Sequence, residues 1–128
     1  MSDRLLLLLA AAGLVPIALS YGLAPSVTLP LLLEFQVEGT HLTHVFRAIM
    51  GLYFANLVFW IAGAFNENLT RPALWLLLVF MTGLAAGRLI SLVIDGWPNF
   101  VLLFYLCAEI AFALLAVANL IKQYGAVV

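Results

Sequence analysis

Charge is what this chain has least of. Of 128 residues, 5 are Lys or Arg and 6 are Asp or Glu, a formal net charge of −1. A soluble domain is about 25% charged and about 45–50% apolar, whereas here 9% of residues are charged and 66% hydrophobic. So short a chain cannot hide that much apolar surface in its own interior. The balance excludes a soluble enzyme of ordinary composition, a disordered segment and a basic nucleic-acid binder. Cysteine is nearly absent too: Cys107 stands alone in an apolar run. One thiol permits no disulfide framework and no cysteine-rich metal site, and it reads as a small buried apolar residue. No HExxH, no glycine-rich phosphate loop and no nucleophile–base spacing occurs, and no metal site is expected.

What is present in abundance is apolar sequence of helical length. A bilayer core of about 30 Å takes roughly 20 apolar residues per helix. Four segments qualify, at about 5–24, 41–65, 73–94 and 100–121. Pro25 and Pro30, the stretch Asn66 to Pro72, and Asp95-Gly96-Trp97-Pro98-Asn99 supply the breaks between them. No repeat and no low-complexity linker divides the chain, so residues 1–128 read as a single transmembrane domain. The first span has a weak basic flank, Asp3 offsetting Arg4, and reads as a retained span rather than a cleaved signal.

Four spans put both ends of the chain on one side. That side holds Arg4, Arg71 and Lys122, and the opposite connections hold Glu34, Glu38 and Asp95. The positive-inside rule then puts both termini in the cytoplasm. The connection from Pro25 to Thr40 is expected to be a short, ordered outer loop. Leu33 to Glu38 alternates as a half-buried strand would, while Thr28 ahead of Leu29-Pro30 would cap a short interfacial helix; a partly ordered loop is the plainer alternative.

Three charges fall inside the spans: Arg47, Arg88 and Glu109. Each costs about 2.5–3.5 kcal/mol at a helix centre and wants a partner. Arg47 is seven residues past Thr40 and Arg88 seven before Asp95, so each lies roughly 10 Å below the outer face. Glu109, eleven past Pro98, lies roughly 16 Å down. His44, Ser91, Asp95 and Tyr105 lie one or two turns from these charges. An outward-opening polar pocket of His44, Arg47, Arg88, Asp95, Tyr105 and Glu109 is the expectation, with Arg47 or Arg88 paired to Glu109. It is either a salt-bridge network holding the helices in register or a site for an anionic or carbonyl-bearing amphiphile.

Small residues supply the packing signal. Gly83 and Gly87 form a GxxxG, and Ala48, Gly51, Ala55 and Ala62 make a comparable stripe, which predicts close helix approach within the chain and, second, a dimer seam. Pro16 predicts a kink in the first span. Trp75 and Trp97 suit an interfacial belt, and Asn56 suits an interhelical hydrogen bond. His41 and His44 read as solvated residues.

The runs Thr-His-Leu-Thr-His-Val-Phe-Arg-Ala-Ile-Met-Gly-Leu-Tyr (Thr40 to Tyr53) and Gly-Arg-Leu-Ile-Ser-Leu-Val-Ile-Asp-Gly (Gly87 to Gly96), followed by Ala108-Glu109, carry a resemblance. The chain resembles a bacterial family of small four-span proteins known only as a domain of unknown function, broadly DoxX-like. The resemblance covers nearly the whole chain. It implies an all-α, four-transmembrane-helix bundle with Arg47, Arg88, Asp95 and Glu109 in the family pattern, and no activity. Three functional classes follow. The first is a non-catalytic accessory or assembly subunit of an inner-membrane complex, or a homo-oligomer. The second is a binding or transport protein holding a lipid- or quinone-like molecule in the outer leaflet, with no other cofactor. An enzyme ranks last, with Glu109 its one acid–base candidate.

Overall fold

The computed structural model describes residues 1–127. It contains five helices: α1 (Asp3–Gly22), α2 (Pro25–Leu33), α3 (Thr40–Phe65), α4 (Glu67–Ile94) and α5 (Phe100–Val127). Among the described residues there is no strand. Four of the helices, all but α2, are long and apolar enough to cross a membrane. The protein is an all-α, four-span bundle with an ordered segment between the first two spans. At about 1.5 Å per residue, the 20 residues of α1 match a bilayer core of about 30 Å. The 26 to 28 residues of α3, α4 and α5 exceed it.

The extra length lies where apolar content stops predicting helix. α4 starts at Glu67, six residues ahead of the expected span, because Asn66 caps it: its side chain accepts from the Asn68 backbone N–H at 3.0 Å. Pro72 sits inside this helix, next to the exposed end where the carbonyl it leaves unpaired can meet water. Thr70 locks the reversal by donating to the Gly63 carbonyl at 2.7 Å. α5 runs past residue 121 because polar side chains at its end find partners on α1. Asn119 donates to the Met1 carbonyl at 3.0 Å and to Asp3 Oδ1 at 2.7 Å, and Gln123 donates to Asp3 Oδ2 at 2.7 Å. Both chain ends therefore lie at one end of the bundle, called the terminal end below; the other is the α2 end.

The connection after α1 is a helix rather than a strand. Pro25 opens α2 at its first turn, where a missing N–H costs nothing. Thr28 is not its cap, since the Thr28 hydroxyl donates back to the Ser20 and Ala24 carbonyls and ties α2 to the end of α1. Residues 34–38 alternate in polarity but have no partner strand, and only Val37 of them is buried. Asn99 caps α5 through the Leu102 N–H and also donates to the Leu32 carbonyl at 3.0 Å, fixing α2 over the end of α5.

α1 packs on α3, α3 on α4 and α4 on α5, but α1 touches α5 only slightly. The glycines that permit close packing are Gly22, set against Met50, and Gly63, set against Ala73 and the Leu69 carbonyl. The expected packing residues Gly51, Gly83 and Gly87 instead have open space where a Cβ would stand. They fall on outward faces: in α4 the exposed stripe runs through Trp75, Val79, Gly83, Gly87, Ile90 and Ile94 at helical spacing. Cys107 likewise lies on the exposed stripe of α5 rather than in the core. Asn56 is buried, but its amide donates to the Leu52 carbonyl of its own helix at 2.8 Å instead of crossing to another.

Candidate functional site

α4 and α5 bring one buried ion pair together. Arg88 Nε donates to both carboxylate oxygens of Glu109 at 2.9 Å. Glu109 is 6% exposed, so the arginine repays a carboxylate that would otherwise be stranded away from water. Arg88 lies six residues before the end of α4 and Glu109 nine after the start of α5, a height difference of about 4.5 Å that the long arginine side chain spans. Antiparallel neighbours joined by a short turn have their heights linked in this way. The Arg88 guanidinium also stands 5.6 Å from the Tyr105 ring centre, one helical turn before Glu109 on α5.

A cavity of about 190 Å³ opens beside this pair. Its polar rim is Arg88, Glu109, Tyr53 and Tyr105; Leu14, Ile17, Met81, Leu84, Phe104 and Phe112 supply most of the remaining wall, with Ala10, Gly13 and Ala108. α1 and α5 face each other across it, so the cavity occupies the seam where these two helices barely touch. The seam is clasped below by Asn119 and Gln123 on Asp3, and α2 is clasped to α5 above by Asn99. Between the clasps, Gly13 and Phe104 line the cavity while remaining exposed on the outside, which marks the mouth.

Behind the cavity runs a column of aromatic rings. Tyr21 stacks with Phe46 at 6.1 Å and meets Tyr53 edge-on at 5.5 Å. Tyr53 meets Phe80 edge-on at 5.4 Å, and Phe80 meets Trp60 at 5.5 Å. Offset and edge-on rings attract through their quadrupoles, and Tyr53, the ring of this column that lines the cavity, is held by them.

Of the six residues expected in one pocket, the structure groups Arg88, Tyr105 and Glu109. Arg47 and His44 are exposed and line a separate depression with Ser26, Val37, Gly39, Thr40 and Thr43. Arg47 has the right height but the wrong azimuth: the inward face of α3 carries Tyr53, Asn56, Leu57 and Trp60, and Arg47 falls on its flank. Asp95 is exposed at the end of α4 and accepts from the Ser91 hydroxyl at 2.6 Å, so it spends its charge at the surface. Among the described residues Arg88–Glu109 is the one ion pair. Sequence reasoning missed Tyr53 and Gly13. Tyr53 carried a signal, since a tyrosine at mid-span rather than at the interfacial belt needs a polar partner. Gly13 carried none.

No curated protein and no solved structure matches the chain. A family model described as Domain of unknown function (DUF4345) matches residues 2–120. The match covers α1 to α4 and α5 as far as residue 120, and takes in Arg88, Tyr105 and Glu109, and the chain belongs to that family.

Proposed function

We propose that the protein is a non-catalytic binding or carrier protein that holds an amphiphilic, lipid- or quinone-like molecule in the cavity between α1 and α5. One observation carries this reading: an apolar cavity with a single polar rim, set at membrane depth, whose mouth lies between two spans rather than at the bundle end. Such a site suits a molecule with one polar and one apolar part, and ionisable groups inside a membrane are costly enough to point to function. Location in a bacterial inner membrane, and a broadly DoxX-like affinity, are part of the same reading. Arg4, Arg71 and Lys122 at the terminal end support cytoplasmic termini; with that orientation the cavity reaches from mid-membrane toward the outer face.

The test is native mass spectrometry of protein purified in mild detergent. The wild type is expected to retain a small lipophilic molecule, and Arg88→Leu/Glu109→Leu, which removes the charged part of the polar rim without stranding a charge, is expected to lose it. A wild type with nothing bound, or equal retention by the double variant, overturns the reading.

A second reading, the accessory subunit or homo-oligomer, draws on a different feature. Gly83 and Gly87 lie on an exposed face of α4 with no helix against them, and small residues on such a face permit a second helix to approach closely.

A further inference from the structure

Resting on that binding reading, we infer that the ligand's headgroup is uncharged and rich in hydrogen-bond acceptors, and that it enters sideways from the lipid, past Gly13. The charge count at the cavity decides the first point. Arg88 and Glu109 cancel one another. The two charges that could have unbalanced them are spent elsewhere, Asp95 on Ser91 and Arg47 on an exposed flank of α3. An anionic or cationic headgroup would therefore bring an uncompensated charge to a poorly solvated site, at a cost that an uncharged head avoids.

The donor count decides the acceptor chemistry. An arginine side chain has five N–H donors and no acceptor. Arg88 gives its Nε to Glu109, and the Tyr21 hydroxyl stands close enough to take one more of its hydrogens, which still leaves donors over for a ligand. The hydroxyls of Tyr53 and Tyr105 stand on the same rim. A carbonyl, ester or quinone oxygen satisfies these donors, and a hydrocarbon cannot. Size decides how much of the molecule fits. The cavity of about 190 Å³ lies below the roughly 300–1,000 Å³ of pockets that enclose a whole ligand. It takes a ring or a glyceryl ester, and the tail must leave through the mouth.

Gly13 is the natural sill of that mouth. It is exposed, it lines the cavity, and no atom lies within 4 Å of where its Cβ would be. A side chain there starts into open space, so a large one can fill the passage while Arg88 and Glu109 stay unchanged.

The experiment uses the full chain in lipid nanodiscs with three photoreactive probes of equal tail length: a monoacylglycerol, a benzoquinone and an alkyl sulfonate. Labelling of the cavity helices by the sulfonate is expected to be about tenfold weaker than by whichever uncharged probe binds. The monoacylglycerol and benzoquinone arms tell a glyceride ester from a quinone ring. Gly13→Trp is expected to abolish labelling by the uncharged probe, while Gly13→Ala keeps it. Sulfonate labelling equal to or stronger than that of both uncharged probes overturns the charge argument, and undiminished labelling of a folded Gly13→Trp overturns the route. Should Gly13→Trp not fold, a cysteine at position 13 modified by a bulky maleimide after purification makes the same block. If no probe labels the cavity at all, the binding reading fails and this inference with it.

Discussion

The two halves of the bundle handle their charged groups in opposite ways. At the terminal end the interior carries no charge: Leu6, Leu7, Trp60, Leu74 and Leu77 are fully buried, and the polar groups among them are the Asn56 and Asn119 amides and the Trp60 indole N–H. Its charged residues stay at the rim, where Asp3 takes the Gln123 amide and that of the buried Asn119, and Arg71 donates to Gln123 at 3.1 Å. At the α2 end the arrangement is inverted. The rim residues Glu34, Glu38, His44 and Asp95 are exposed, while the interior holds an ion pair, two rim tyrosines and unfilled space. A polar group at the rim can share its hydrogen bonds with water, so it seals the bundle cheaply. One at depth must find protein partners with the right directions, and that requirement competes with close packing. The vacancy beside Arg88 is what the competition leaves.

The sharpest contrast is between one arginine from each half. Arg88→Leu leaves Glu109 buried without a partner, and breaking a buried pair costs about 3–5 kcal/mol. Arg71→Leu removes a hydrogen bond to Gln123 and a stacking contact with Tyr124 at the rim, worth about 1 kcal/mol. Unfolding by a graded denaturing detergent is expected to show that difference. Restoring charge balance with Glu109→Leu in the Arg88→Leu background should recover most of the loss, since replacing both partners is often nearly neutral. Equal losses for the two arginine variants would dissolve the distinction between the halves.

The glycines give the next largest effect, in the reverse sense. Gly63 at the terminal end faces Ala73, and a methyl group there would also stand 3.1 Å from the Leu69 carbonyl oxygen. Gly63→Ala is expected to cost about 1–3 kcal/mol by overpacking. Gly13→Ala meets nothing and, by replacing glycine in a helix, should stabilise slightly. The same detergent titration checks both, and a destabilised Gly13→Ala would mean that the seam is closed in solution.

These contrasts also explain what the sequence could and could not disclose. The four spans were legible because hydropathy over about 20 residues is an average, and averages survive local irregularity. Helix ends were less so: Asn66 starts α4 and Asn119 with Gln123 extends α5 through specific hydrogen bonds, which no hydropathy average detects. The Arg88–Glu109 pair was legible as one of two alternatives: two antiparallel helices joined by a short turn have their heights linked, but counting residues put Arg47 at the same depth as Arg88. Arg47 shows where counting stops. Height along a helix follows from residue number, but the direction a side chain points depends on how the whole helix is rotated against its neighbours. Rotation is set by α3's own apolar face, through Tyr53, Leu57 and Trp60, and a mid-span charge does not override it. The GxxxG of α4 fails for the same reason: the spacing marks a face suited to a close neighbour without saying which way that face is turned.

That outward face supplies the smallest expected change and the one that separates the two functional readings. Gly83 and Gly87 have no atom near the position of an added side chain, so Gly83→Leu should alter the stability of the isolated chain by no more than about 0.5 kcal/mol. If the face meets only lipid, the particle mass in nanodiscs is the same for wild type and variant, and retention of the bound molecule is unaffected. If α4 packs on a second copy, the helices must approach closely at Gly83 and Gly87, and a leucine there should shift the population to the single chain while leaving the cavity on the far side of α4 able to bind. Loss of oligomer with retained ligand would make the protein both an assembly element and a carrier, with the two roles on different faces of one helix. Loss of ligand together with oligomer would mean that the second copy holds the α1–α5 seam in its open form, and the cavity would then belong to the assembly rather than to the chain.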